Sequence, residues 1–158
     1  VGIHALDFIH YITGVGYSQV AAMGGNRAHP ERPGCEDHCG LVLELSNGGH
    51  ATVSVDILRP EASVTHGDDW VRIVGTKGVL EAGCAEPYCR VIQEAKGSLE
   101  AILPEAGHSF QDFLESLLDK SHYEIAGYVP FMLTEVCLLA QESLETGCVK
   151  KIDSSLYR

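Results

Sequence analysis

The 158-residue chain has no apolar run near the roughly 18 residues that a membrane-spanning helix requires. It also lacks the basic stretch followed by an apolar core that would mark a secretion signal. Basic residues are scarce: 11 Lys and Arg stand against 22 Asp and Glu, a formal net charge of −11. Nucleic acids and anionic membranes are bound by basic surfaces, so neither is an expected partner. No Gly-x-Gly-x-x-Gly loop opens a βαβ unit; Gly14-Val15-Gly16 supplies only the first two glycines and follows a helix, so it reads as a turn. A Gly-x-Ser-x-Gly motif is missing too, which removes support for serine hydrolase chemistry. The six cysteines, at 35, 39, 84, 89, 137 and 148, follow no regular spacing and read as reduced thiols of a cytoplasmic protein. Cys35-Glu36-Asp37-His38-Cys39 gathers several ligand types, yet it has no Cys-x-x-Cys pair and no evenly spaced further ligands, so no metal site is expected.

What remains is a composition suited to packing, 45% apolar and 21% charged, in a length that fits one domain over residues 1–158. The chain begins at Val1 without a methionine, with a helical pattern under way by His4, which reads as a fragment of a longer protein. Ile3 to Thr13 is predicted helical and closed by Gly14. Tyr17 to Met23 is predicted as a strand, followed by a loop from Gly24 to Glu36. Leu41, Leu43 and Leu45 alternate with more polar neighbours, as do Ala51, Val53, Val55 and Ile57, around an Asn47-Gly48-Gly49 turn. Keeping both apolar rows on one face calls for a three-residue loop, with Leu45 opposite Ala51, Leu43 opposite Val53 and Leu41 opposite Val55.

Further strands are expected at Trp70 to Val74, Val79 to Ala82, Tyr88 to Gln93, Leu99 to Leu103 and Val149 to Asp153. Phe110, Phe113, Leu114, Leu117 and Leu118 form one helical stripe, opened by Ser109 and Asp112 as a capping box. A last helix runs from near Pro130 to Gly147, with Leu133, Val136, Cys137, Ala140 and Leu144 facing inward. Strands in a block with helices at the ends imply an α+β fold: a predominantly antiparallel open sheet, its helices packed on one face.

The first helix carries the densest set of polar groups. At 100° per residue His4 and Tyr11 lie almost in line and Asp7 about 60° away, while Ile3, Leu6, Ile9 and Ile12 cover most of the rest. Such a helix is expected to be largely buried, with His4 and Asp7 at the edge of a core or cleft. A histidine there either is held by Asp7 or backbone as a structural group or faces a ligand. His66, beside Asp68 and Asp69, is a further candidate, set against the plainer reading of a solvated loop.

The run Val1 to Gly14, VGIHALDFIHYITG, is similar to the helix that opens the second half of the Gfo/Idh/MocA oxidoreductases, with its pattern Gly-x-His-x-x-Asp, a few apolar residues, then Thr-Gly. Glu36-Asp37 before an alternating strand, the Asn47-Gly48-Gly49 turn, the Gly67-Asp68-Asp69 to Gly78 hairpin with Glu81, and the helix ending Ser143-Leu144-Glu145-Thr146-Gly147 also resemble that family. The resemblance implies a C-terminal domain of the kind shared with dihydrodipicolinate reductase and glyceraldehyde-phosphate dehydrogenase. It implies that NAD or NADP is held by a Rossmann domain outside this chain. It further implies a catalytic His4, a sugar, cyclitol or related polyol as substrate, and a homo-oligomer formed through the open sheet; Asp7, Tyr11 and His66 are the candidate substrate contacts read from the residues, with Asp7 alternatively orienting the helix or His4. A non-catalytic binding or scaffold protein of the same fold is the competing expectation.

Overall fold

The structure, a computed structural model, describes residues 2–65, 67–103, 105, 110, 114, 118 and 127–153. It is an α+β chain whose contacts fall into two compact units, one of Val1–Leu58 with Glu124–Arg158 and one of Arg59–Tyr123.

In the first unit, helix α1 (Gly2–Thr13) leads into strand β1 (Tyr17–Gly25), then β2 (His38–Leu45) and β3 (His50–Asp56). Helix α2 (Val129–Thr146) and the short β8 (Lys150–Lys151) complete it, giving an antiparallel sheet of order β3-β2-β1-β8. β8 is shorter than the predicted Val149 to Asp153 because it pairs only with Gln19 and Val20, next to an irregularity at Ser18. That β-bulge lets two residues face one on β2. It puts Tyr17 and Val20, three positions apart, on the same buried face as Ala22. Leu41 and Leu43 of β2 and Val53 of β3 extend this face.

Both helices cover that face. Leu6 of α1 and Val129, Met132, Leu133, Val136 and Ala140 of α2 are buried with it in one cluster. The α2 spacing matches the predicted stripe, and Pro130 and Gly147 sit at its ends as expected. The opposite sheet face is exposed at Met23, Val42, Glu44, Thr52 and Ser54.

The β2–β3 register differs from the expected one by two residues. Leu43 faces Ala51 and Leu41 faces Val53, so the loop is Ser46-Asn47-Gly48. Gly48, at φ 83°, takes the left-handed position that closes a three-residue hairpin, and its N–H donates to the Leu45 carbonyl at 2.9 Å. Asn47 Oδ1 accepts from Gly49 N at 2.9 Å. A shift of two preserves which side chains point inward, so the apolar face survives the change.

The second unit holds β4 (Trp70–Gly75), β5 (Gly78–Gly83), β6 (Tyr88–Gln93) and β7 (Gly97–Glu100), a separate antiparallel meander in that order. The strands thus divide between two sheets. β7 starts two residues before the expected Leu99, because Gly97 pairs with Gln93 across a tight connection. Phe110, Leu114 and Leu118 of the expected stripe are helical and exposed; Phe113 and Leu117 lie outside the described residues.

Leu43 is wholly buried, whereas its neighbour Val42 points to the open face. Leu43→Ala should lower the free energy of urea unfolding by about 2–5 kcal/mol, and Val42→Ala by under about 0.5 kcal/mol. Equal losses would mean that the helices do not cover the assigned face.

Candidate functional site: the exposed face of the first helix and the Asp37–His38 pair

α1 rests on the sheet through Ile3, Leu6 and Ile9, and Gly14 closes it with its N–H on the His10 carbonyl at 2.7 Å. The anchor is Tyr17. Its hydroxyl is buried and donates to the Leu6 carbonyl at 2.6 Å. Burial pushes the Tyr17 hydroxyl far above its ordinary titration range, and the charge of Asp7 adds to the effect. His10 is held to the Val15 carbonyl through Nδ1 at 3.1 Å, so it serves the helix terminus.

His4, Asp7 and Tyr11 are all exposed on the side of α1 opposite Leu6. The structure therefore brings three of the four sequence candidates onto one face; the fourth, His66, lies outside the described residues. The expectation that α1 is largely buried is corrected. Only Leu6 is fully buried, and Phe8, Tyr11 and Ile12 join the exposed side. The physical reason is that one sheet layer can cover only about half of a helix surface, and no described residue covers the other half. His4 is not held by Asp7: among the described residues neither side chain has a hydrogen-bond or ion-pair partner. An imidazole so placed is accessible and can accept or return a proton.

A second constellation escaped the sequence reading. Asp37, 1% exposed, accepts from Arg27 N at 2.8 Å, from Ala28 N at 2.6 Å and from His38 Nδ1 at 2.7 Å. The hydrogen bond from His38, then those from the backbone, hold the Asp37 carboxyl well below the ordinary carboxylate range. An ionised carboxylate only accepts, so Nδ1 carries the proton on His38. Asp37 also ties the 26–37 loop to the strands, with its N–H on Gly25 O and its carbonyl receiving Ile57 N. Asn26 works beside it, donating to the carbonyls of His29 and Arg32. The pair lies on a cleft of about 430 Å³ between the start of α1, the ends of β2 and β3, and α2, where Ile3, Cys39, Val55 and Cys137 also contribute. His4 is not among its lining residues. The adjacent Asp-His in the sequence was the available signal, but nothing in a sequence says that the carboxylate is buried.

Among the described residues the cysteines are free, and no three His, Cys, Asp or Glu side chains are placed to hold a metal ion. Asp68, one of the His66 neighbours, is engaged by Arg59 at 2.7 Å. Gly14 to Gly16 links the C-terminal end of α1 to β1, and the Gly16 carbonyl receives Ser46 N at 2.9 Å.

An α+β layer with an accessible histidine in the first turn of its opening helix is the class that the fold and the site define. The profile of the Gfo/Idh/MocA C-terminal domain matches residues 1–81, and the chain belongs to that family. A structure from Thermotoga maritima assigned as an oxidoreductase is 35% identical, with a TM-score of 0.87 over 96% of this chain and 46% of that one. An oxidoreductase from Agrobacterium radiobacter, in complex with NAD+, L-tartaric acid and magnesium, shares the fold at 20% identity and a TM-score of 0.80, over 98% of this chain and 48% of that one. The aldose-aldose oxidoreductase from Caulobacter crescentus, complexed with glycerol, shares it at 21% identity and a TM-score of 0.76, over 95% and 45%. The chain thus spans about half the length of these solved structures. No curated protein matches it.

The depressed Asp37 carboxyl contributes stability that is complete above the ordinary carboxylate range and is lost as the pH falls through it toward the lower native value. Asp37→Asn should therefore destabilise the protein at pH 7 and flatten the acid side of its stability-against-pH curve, read by thermal melts from pH 7 downward. An unchanged acid limb would show that Asp37 is not the titrating anchor.

Proposed function

We propose that this chain is the substrate-binding and oligomerisation half of an NAD(P)-dependent oxidoreductase that dehydrogenates a hydroxyl of a sugar, cyclitol or related polyol. The observation that carries the reading is the exposed His4, in the first turn of α1, on a face with Asp7 and Tyr11 that no described residue covers. NAD or NADP, held by residues outside this chain, supplies the hydride acceptor. His4 takes the proton of the reacting hydroxyl as the carbonyl forms and passes it to solvent. Asp7, one turn on, and Tyr11 share the exposed face with His4 and are the proposed substrate contacts beside it. Phe8 and Ile12 give that face an apolar border suited to packing against a neighbouring domain. His66 is kept as a candidate substrate contact from its place in the sequence beside Asp68 and Asp69. The fold's kinship with oxidoreductases of known structure supports the class of reaction.

In the full-length enzyme, His4→Asn should lower kcat by about 10²–10⁴-fold, the usual worth of a positioned acid or base, and leave cofactor affinity within about twofold. Turnover within a few-fold of the parent would remove His4 from the chemistry. By themselves, residues 1–158 should bind NAD weakly or not at all in a calorimetric titration.

The partner in solution is proposed to be a second copy, meeting the open face of β1–β3 around Met23 and Val42. Placing a charge there, as in Val42→Lys, should shift sedimentation toward monomer with circular dichroism unchanged. Retention of the parent oligomer would place the contact elsewhere.

A further inference from the structure

Residues 2–7 of α1, which include His4 and Asp7, rest on the sheet by apolar contact through Ile3 and Leu6. Apolar packing is non-directional and by itself leaves a helix some freedom to turn about its axis. The far end of α1 is tied by polar bonds: Thr13 Oγ1 donates to the Ile9 carbonyl at 2.6 Å and accepts from Val15 N at 3.2 Å. Those bonds close the helix end and do not reach the sheet. Among the described residues, the one hydrogen bond between residues 2–7 and the sheet is that of Tyr17 with the Leu6 carbonyl.

The Tyr17 hydroxyl is set into one rung of the helix. It donates to Leu6 O, the same carbonyl that takes the N–H of residue 10 in regular helix geometry. Burial, then Asp7 and Cys137 when ionised, raise its titration, and a hydrogen bond with the His10 backbone opposes them. The hydroxyl thus meets both ends of one helical rung, and the ring that carries it is wholly buried in the core. A directional bond of this kind fixes the rotation of α1 as well as its height on the sheet.

We propose that Tyr17 is a positioning residue for the dehydrogenation: through its bond to Leu6 it holds α1 at the rotation that brings the His4 imidazole onto the reacting hydroxyl. The inference rests on the proposed role of His4 and adds to it a residue on another element that never touches substrate. The lever is short. Side-chain ends lie about 5–6 Å from a helix axis, so a turn of about 10° moves them by about 1 Å. A displacement of that size at a reacting group costs about 10²-fold in rate. Tyr17→Phe keeps the ring that fills the core, and Leu6 O keeps its helical partner. The fold therefore survives the change while the rotation is released.

The full-length enzyme is assayed with NAD+ and NADP+ against myo-inositol, D-glucose, D-xylose and glycerol, and the fastest pair serves for every variant. Tyr17→Phe should lower kcat about 10–100-fold and leave the KM for cofactor within about twofold. It should keep the acid limb of the parent's kcat–pH profile, because His4 still titrates, whereas His4→Asn should flatten that limb. Val136→Ala removes wholly buried packing from α2 and no hydrogen bond. It should keep kcat within about twofold at a temperature where melting curves show it folded. Parental kcat in Tyr17→Phe beside a strongly impaired His4→Asn would overturn the inference alone. So would a flattened acid limb in Tyr17→Phe, or an equal loss of kcat in Val136→Ala. Parental turnover in His4→Asn, or no turnover of any of the four alcohols by the parent, would remove the dehydrogenase reading and the inference together.

Discussion

One buried hydrogen bond sets the geometry of the opening helix. The Tyr17 hydroxyl reaches the Leu6 carbonyl at 2.6 Å from a strand position that is inward-facing only because the sheet bulges at Ser18. Without the bulge, alternation would turn Tyr17 and Val20 to opposite faces. With it, both face the helices, Leu6 seats against them, and the rotation of α1 about its axis is determined. His4, Asp7 and Tyr11 face outward as a consequence, since they sit on the far side from Leu6. A phenol that donates while buried is also costly to leave unpaired, which makes this contact specific in a way that apolar packing alone is not.

Asp37 plays the matching part at the other end of the sheet. A carboxylate removed from water is tolerated when its oxygens are filled, and here two backbone N–H groups and the His38 ring fill them. The loop between β1 and β2 is held through those same bonds. The Glu36-Asp37 pair that resembles the family pattern is therefore explained by loop anchoring, with His38 oriented on the adjoining cleft as a second effect.

The chain leaves three surfaces uncovered among its described residues: the outer half of α1, the open face of β1–β3, and the aromatic row of β4–β6. Their chemistry differs. The α1 face mixes titratable groups with Phe8 and Ile12, the β1–β3 face is short aliphatic and hydroxyl side chains, and the third face is aromatic and ion-paired.

The sequence by itself determined the order and type of the elements, because period 3.6 in α2 and period 2 in β2 and β3 are properties of neighbours along the chain. It also placed His4, Asp7 and Tyr11 on one helical stripe, which follows from angle alone. Tertiary structure decided what periodicity cannot reach. The hairpin register differs by two residues from the expected one, with Gly48 in the left-handed position, a choice invisible to the apolar pattern, which is the same in either register. The division into two sheets, the bulge that turns Tyr17 inward and the burial of Asp37 all depend on partners far away in sequence. So does the exposure of α1, which its composition alone argued against: a helix is buried only where something lies against it.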